Sequence, residues 1–269
     1  MHCVHEKGGK MFQSKMVTPA IPERVYTLCK IVEKKALTSS EVKNKMEPSY
    51  LNQATSYYND YRNAAEELQL IVITDNVLSL AVDPSVIKDM DSMRFYVNGQ
   101  LDRFREGQFY KVTKAYFSMG ESILHGEQNV ANMASAMTLR AGIQVDSMAM
   151  RAWRFWASYL GFGYLQGMFV IPNADVFLND IIHRASFDKN YKYSIDVFLK
   201  KLKPYSDIII DSSDGNKTFS FGVSNGLRTL QDAGYIKMEH IMDQEDTWNL
   251  YHIDALSSNE VVTNITVLK

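Results

Sequence analysis

The sequence is short of the residues that staple or anchor a chain. Its 269 residues include two cysteines, Cys3 and Cys29. That is too few for a disulfide framework and suits a reducing cytoplasm. No run of about 18 apolar residues occurs, so no membrane span is expected. The opening MHCVHEKGGKMFQSKM lacks the apolar core of a signal peptide, and residues 1–16 read as a polar, flexible tail. Excess positive charge is also missing: the formal net charge is −2 and the pI about 6.3. This excludes a surface coated in cations, though not a local basic patch. There is no P-loop, no Rossmann glycine run, no His-Glu-x-x-His and no Cys-x-x-Cys. The common nucleotide and zinc chemistries therefore have no signature, and no cofactor or metal is expected.

What the chain has is apolar mass. Hydrophobic residues make up 46% and aromatics 12%, enough for packed cores in two or three small modules. Charge is uneven. Residues 1–45 carry nine Lys/Arg against four Glu, a net of +5, whereas residues 204–269 carry four against ten Asp/Glu, a net of −6. A basic front and an acidic back suit different partners at the two ends.

Along the chain, Val25, Leu28, Ile31 and Val32 predict a helix over residues 22–37, with Pro22 near its start. Thr38-Ser39-Ser40-Glu41 has the form of a capping box, and a short helix runs from it to Met46. A longer helix is expected over 52–69, then strands over 70–73 and 77–82 around a turn at 74–76. Residues 84–126 show helical spacing broken near Gly107. Helices follow at 129–137 and 146–160, a break at Gly161-Phe162-Gly163, two short strands around Gln166-Gly167, and a helix over 175–184. Residues 191–203 form an amphipathic helix ending at Pro204, with strands expected at 207–211 and 217–221. A helix capped by Ser224 then runs to Gly234, a left-handed C-cap. A hairpin is expected next, with 235–241 paired to 248–253 across Asp243–Asp246. Residues 260–269 would add an edge strand.

A helix ending in Leu-x-x-x-Gly-Tyr-Ile (Leu230 to Ile236) and feeding two strands resembles the winged-helix superfamily. The junctions at Leu68-Gln69-Leu70-Ile71 and Leu160-Gly161-Phe162 vary the same theme. The resemblance implies a mainly α fold with small β-hairpins, built as tandem winged-helix-like domains joined by helices. Its expected parts are a tail (1–16), a first unit (17–84), a helical linker (85–128), a second unit (129–186) and a third (187–269).

Five other patterns invite chemistry or contact. Gly222-Val223-Ser224-Asn225-Gly226 fits Gly-x-Ser-x-Gly, but no parallel sheet precedes it, so Ser224 reads as a helix cap rather than a nucleophile. His2, Cys3, His5 and Cys29 match no zinc spacing. His240 and His252 fall near acidic residues on what reads as a solvated turn. Asp211, Asp214 and Lys217 miss a nuclease spacing by one residue. Trp153, Phe155, Trp156 and Tyr159 cannot all share one helix face, so that helix reads as core, with Arg151 and Arg154 left as contacts.

Function is therefore expected in recognition, not catalysis. A winged helix that reads DNA sets its third helix in the major groove, with basic residues on phosphates. The most basic surface is Arg24, Lys30, Lys34, Lys35, Lys43 and Lys45. Asn52, Gln53, Ser56 and Arg62 are the polar set beside it, and Arg151 and Arg154 serve the second unit. The expectation is a cytoplasmic, non-enzymatic component of a prokaryotic DNA-associated complex for defence, DNA processing or regulation. It would hold double-stranded DNA weakly, with other protein subunits or a second copy as partners. The alternative is a protein–protein adaptor without DNA contact.

Overall fold

A computed structural model describes residues 10–51, 55–125, 129–211, 215–253 and 261–269. These residues form a mainly α fold with small antiparallel sheets. None of its helices is long and apolar enough to cross a membrane.

One order of elements appears first between residues 22 and 80. Helix α1 (Pro22–Val32) buries Val25, Leu28, Cys29 and Val32, a stripe at helical spacing. Strand β1 (Leu37–Thr38) leads into α2 (Ser39–Met46), where Thr38 and Glu41 close a capping box. Helix α3 (Tyr58–Glu67) follows, then β2 (Ile71–Thr74) and β3 (Val77–Leu80). Asp75 and Asn76 both take positive φ, as a two-residue hairpin turn requires. The sheet runs β1-β3-β2, so the short first strand lies on the third.

After α4 (Met90–Asn98) a similar order follows: α5 (Gln108–Phe117), α6 (Ala134–Ala141), α7 (Ser147–Tyr159) and the hairpin β4 (Gly163–Gln166) with β5 (Phe169–Pro172). It then recurs in full: α8 (Asp175–Arg184), β6 (Lys192–Ser194), α9 (Ile195–Ser206), α10 (Phe221–Asp232), β7 (Ile236–Glu239) and, after an insertion holding β8 (Trp248–Asn249) and β9 (Val261–Val262), β10 (Asn264–Val267). The last sheet runs β6-β10-β7, the first sheet's order.

The repeat holds at single hydrogen bonds. Each third helix ends in the same Schellman closure, centred on Gln69, Gly161 and Gly234, all at positive φ. Leu70 N–H donates to Ala65 O, Phe162 N–H to Ala157 O and Tyr235 N–H to Leu230 O, at 2.8–3.0 Å. The start of each second helix, or in the middle unit the 3-10 turn before it, is also tied to the residue just before the last strand. Ser39 N–H donates to Asn76 O, Val130 N–H to Met168 O and Ile195 N–H to Thr263 O, at 2.7–2.9 Å. In the middle unit this bond and an isolated bridge from Asn129 to Met168 stand where β1 and β6 stand in the others.

Several boundaries differ from the sequence expectation. Residues 10–16 are not tail: Met11, Phe12 and Met16 are fully buried. Phe12 packs within about 5 Å of the rings of Phe104, Phe109 and Trp156, and apolar side chains this size stay where they leave water. Helix α5 packs on α6, and α8 packs on α10. The partner of β7 is β10, not residues 248–253, so the expected edge strand is central. Ser220, not Ser224, caps α10, since its side chain accepts from Val223 N–H. Residues 207–211 continue α9 into a turn, and Thr218 makes only an isolated bridge to Asn249. Pro204 lies inside the last turn of α9, where one intrahelical bond is lost without ending the helix.

The units share one core. Trp153 and Trp156 are fully buried, their indole N–H groups donating to Thr113 Oγ1 and Ala20 O. Asp180 of α8 accepts from Arg94 and Asn98 of α4, and Asn98 also donates to Leu160 O at the end of α7. The largely buried Asp180 thus ties α8 to α4 and, through Asn98, to the end of α7.

Candidate nucleic-acid interface

The three third helices differ in what they leave to solvent. On α3, Asn59, Arg62, Asn63 and Glu66 fall at i, i+3, i+4 and i+7, facing away from the buried Tyr58, Tyr61, Ala64 and Ala65. The side chains of Asn59 and Glu66 make no hydrogen bond among the described residues. Arg62 lies over the Tyr58 ring at 5.7 Å and donates to Asn63 Oδ1 at 3.0 Å. Its neighbour Asp60 is half-buried, and burial pushes its carboxyl up from the usual range, against a small opposing pull from Lys15.

Helix α7 keeps Met148 and Arg151 exposed. Arg154 is turned inward: it donates to Gly167 O at 3.0 Å, touches Met168 Sδ and covers the Phe155 ring at 4.6 Å. Burial, and then Arg151 beside it, lowers the Arg154 guanidinium from its ordinary value.

Helix α10 has spent its polar side chains. Asn225 donates to Pro172 O, Arg228 to Tyr251 O and Asn173 to Thr229 Oγ1, while Gln231 Oε1 accepts from Met238 N–H. Its glycines explain the fit. A Cβ on Gly222 would come within 2.6 Å of Phe117, and one on Gly226 within 2.8 Å of the Ala174 backbone. The Gly-x-Ser-x-Gly spacing is thus a packing surface. Ser224 is fully buried, its Oγ accepting from Tyr251 N–H at 2.8 Å and donating to Phe219 O at 3.4 Å.

The expected contact residues divide into free and engaged. Lys34 and Lys35 precede β1, and Lys43 and Lys45 lie on α2. All four are exposed and join no ion pair among the described residues. Lys35 and Lys45 flank Glu41, whose carboxyl is held below its usual value mainly by hydrogen bonds from Thr38. Lys30 pairs with Glu33 at 2.7 Å. Arg24 is bonded to Pro19 O at 3.2 Å and lies near the Tyr57 and Tyr61 rings. Ser56 is bonded to Glu47 at 2.6 Å. Asn52 and Gln53 lie outside the described residues, as do His2, Cys3, His5 and Asp214. Cys29 faces the core, and burial pushes its thiol up to about 12. Asp211 pairs with Lys114 at 3.1 Å and Lys217 with Asp246 at 3.3 Å.

Sequence reasoning passed over one feature altogether. Three surface depressions of about 330, 380 and 610 Å³ lie around the end of α9. Their lining runs from Arg105 to Tyr251 and draws on α5, α6, α9, the segment before α10 and the insertion before β10, so no local pattern marks them. The chain matches no protein-family model, no curated protein and no solved structure.

Proposed function

We propose that the chain is a non-enzymatic, tandem winged-helix component of a DNA-associated complex in the prokaryotic cytoplasm, serving defence, DNA processing or regulation. In this reading it touches duplex DNA through its N-terminal unit. What supports the fold-family part is the recurring order helix, strand, helix, helix, strand, strand, with the first strand on the third in two sheets. The observation that carries the DNA part is α3. It is the third helix with an open polar stripe, and four lysines that join no ion pair among the described residues lie just before it in the chain. Asn59 and Asn63 supply base-edge donors and acceptors, and Lys34, Lys35, Lys43 and Lys45 supply phosphate contacts. Four phosphate contacts make a weak binder that depends strongly on salt. The test is fluorescence anisotropy of a labelled duplex at about 50 and 200 mM salt, with wild type and with Lys34, Lys35, Lys43 and Lys45 all changed to Glu. Binding that falls with salt and is lost in the variant supports the reading. Equal affinity in the variant overturns it.

A second reading is a protein–protein adaptor. Exposed apolar side chains favour it: Tyr50 is 81% exposed, Leu51 72% and Leu139 85%. Single exposed apolar groups are ordinary, but Tyr50 and Leu51 adjoin one another. Other subunits or a second copy would cover them. The absence of any duplex binding at low salt, together with a sedimenting mass above that of one chain, would select this reading.

A further inference from the structure

We infer that Arg62 and Asn63 act as one unit that reads guanine in the major groove. The inference rests on the reading of α3 as the duplex-contacting helix, and it adds the base which that helix selects.

The two side chains present donors and no free acceptor edge. Arg62 Nη2 donates to Asn63 Oδ1 at 3.0 Å. A guanidinium can only donate, so the Asn63 amide must turn its oxygen to Arg62 and its Nδ2 away. The one acceptor of the pair is thereby engaged. Arg62 Nε is buried without a partner, which leaves the Nη1–Nη2 end of the guanidinium as the part a ligand can reach. What the pair offers is two or more N–H groups side by side.

The unit is held in place before any ligand arrives. The guanidinium lies over the Tyr58 ring at 5.7 Å, and Tyr58 is itself buried and accepts from Ser39 Oγ of α2 at 3.0 Å. Glu66 stands four residues after Arg62, the ordinary spacing of a helical ion pair, yet the two join in none among the described residues. The guanidinium is turned to Asn63 and Tyr58 instead. A side chain already fixed loses less entropy on binding.

Guanine is the base that matches. Its major-groove edge sets two acceptors, N7 and O6, next to each other. Adenine sets a donor beside its acceptor, thymine has one acceptor beside a methyl group, and cytosine has a donor. Against each of these, one N–H of the unit faces a donor or an apolar group. The neighbours on the stripe differ. Asn59 keeps both amide groups free, which suits adenine, and Glu66 offers only acceptors, which suits the cytosine amino group. From Asn59 to Glu66 the helix rises about 10 Å, roughly three base-pair steps, with the guanine-reading unit between the ends.

The experiment measures anisotropy of two labelled duplexes of one G·C-rich sequence at about 50 mM salt. One is natural; in the other every guanine is deazaguanine, with carbon in place of N7. Pairing and charge are unchanged, and only a major-groove acceptor is removed. Wild type should bind the natural duplex about tenfold more tightly. Arg62→Lys keeps the charge without the planar fork, so it should bind both duplexes alike, near wild-type affinity for the deazaguanine duplex. Equal wild-type affinity for the two duplexes, with binding still lost in the four-lysine variant, would overturn this inference and leave the duplex reading standing. So would a full preference retained by Arg62→Lys. No binding to either duplex would overturn both. The wild-type comparison needs no substitution, so it stands whatever the folding of Arg62→Lys.

Discussion

Glu67 holds the N-terminal segment in place by accepting two consecutive backbone N–H groups, from Phe12 at 3.0 Å and from Gln13 at 2.9 Å. The same two residues turn their carbonyls to α5: Gln108 N–H donates to Gln13 O and Phe109 N–H to Phe12 O. One carboxylate at the end of α3 thereby fixes the strap that caps the first helix of the next unit, satisfying donors a helix start leaves open. Burial pushes the Glu67 carboxyl above its usual value, with the two backbone N–H groups pulling the other way. A raised folded value means that the folded state holds its proton more tightly. The contribution is full below the ordinary Glu range and is lost as pH rises through the higher folded value.

Glu67→Gln keeps one carbonyl acceptor, as the protonated carboxyl does, so it should match wild type closely at the acidic end and gain stability relative to wild type as pH rises and Glu67 ionises against its raised value. Urea midpoints across mildly acidic to neutral pH check this. Wild type gaining stability over Glu67→Gln as pH rises would refute the assignment.

Removing the lysines near α3 should act through phosphates and not through base identity. Each lysine lost should flatten the log–log salt slope of duplex binding by about 0.9, equally for unrelated sequences. Asn59→Ala should leave that slope alone and change only the preference among duplexes. Titrations of two unrelated duplexes at several salt concentrations would separate the two effects.

Cys29 should be inert while the protein is folded, because reaction requires the thiolate and burial holds the thiol at about 12. In a Cys3→Ser background, a disulfide reagent should release no colour until denaturant unfolds the chain. Fast labelling of the native protein would place Cys29 outside the core.

Truncation after Thr263 should collapse the third unit and not merely trim an edge. Strand β10 bonds to both β6 and β7, and Ile265 is fully buried between them. The truncated chain should lose its cooperative thermal transition or unfold well below wild type. A melting temperature within a few degrees of wild type would contradict a central position for β10.

The sequence by itself determined the local events. Thr38 and Glu41 close their capping box within four residues. Gly161 and Gly234 end helices because a residue without Cβ enters the left-handed region freely. The buried stripes of α1, α7 and α10 follow from helical spacing. These signals act over a few residues, so they survive reading without neighbours. Only the tertiary structure decided which strand pairs with β7, because pairing depends on apolar contacts across an insertion of 24 residues. It alone placed Phe12 in the core and turned Arg154 inward onto its own hairpin. Most consequentially, it bonded the polar face of α10 to Pro172, Asn173 and Tyr251 while leaving that of α3 open. Two helices alike in local pattern differ in availability because availability is set by what packs against them, and that lies far away in the chain.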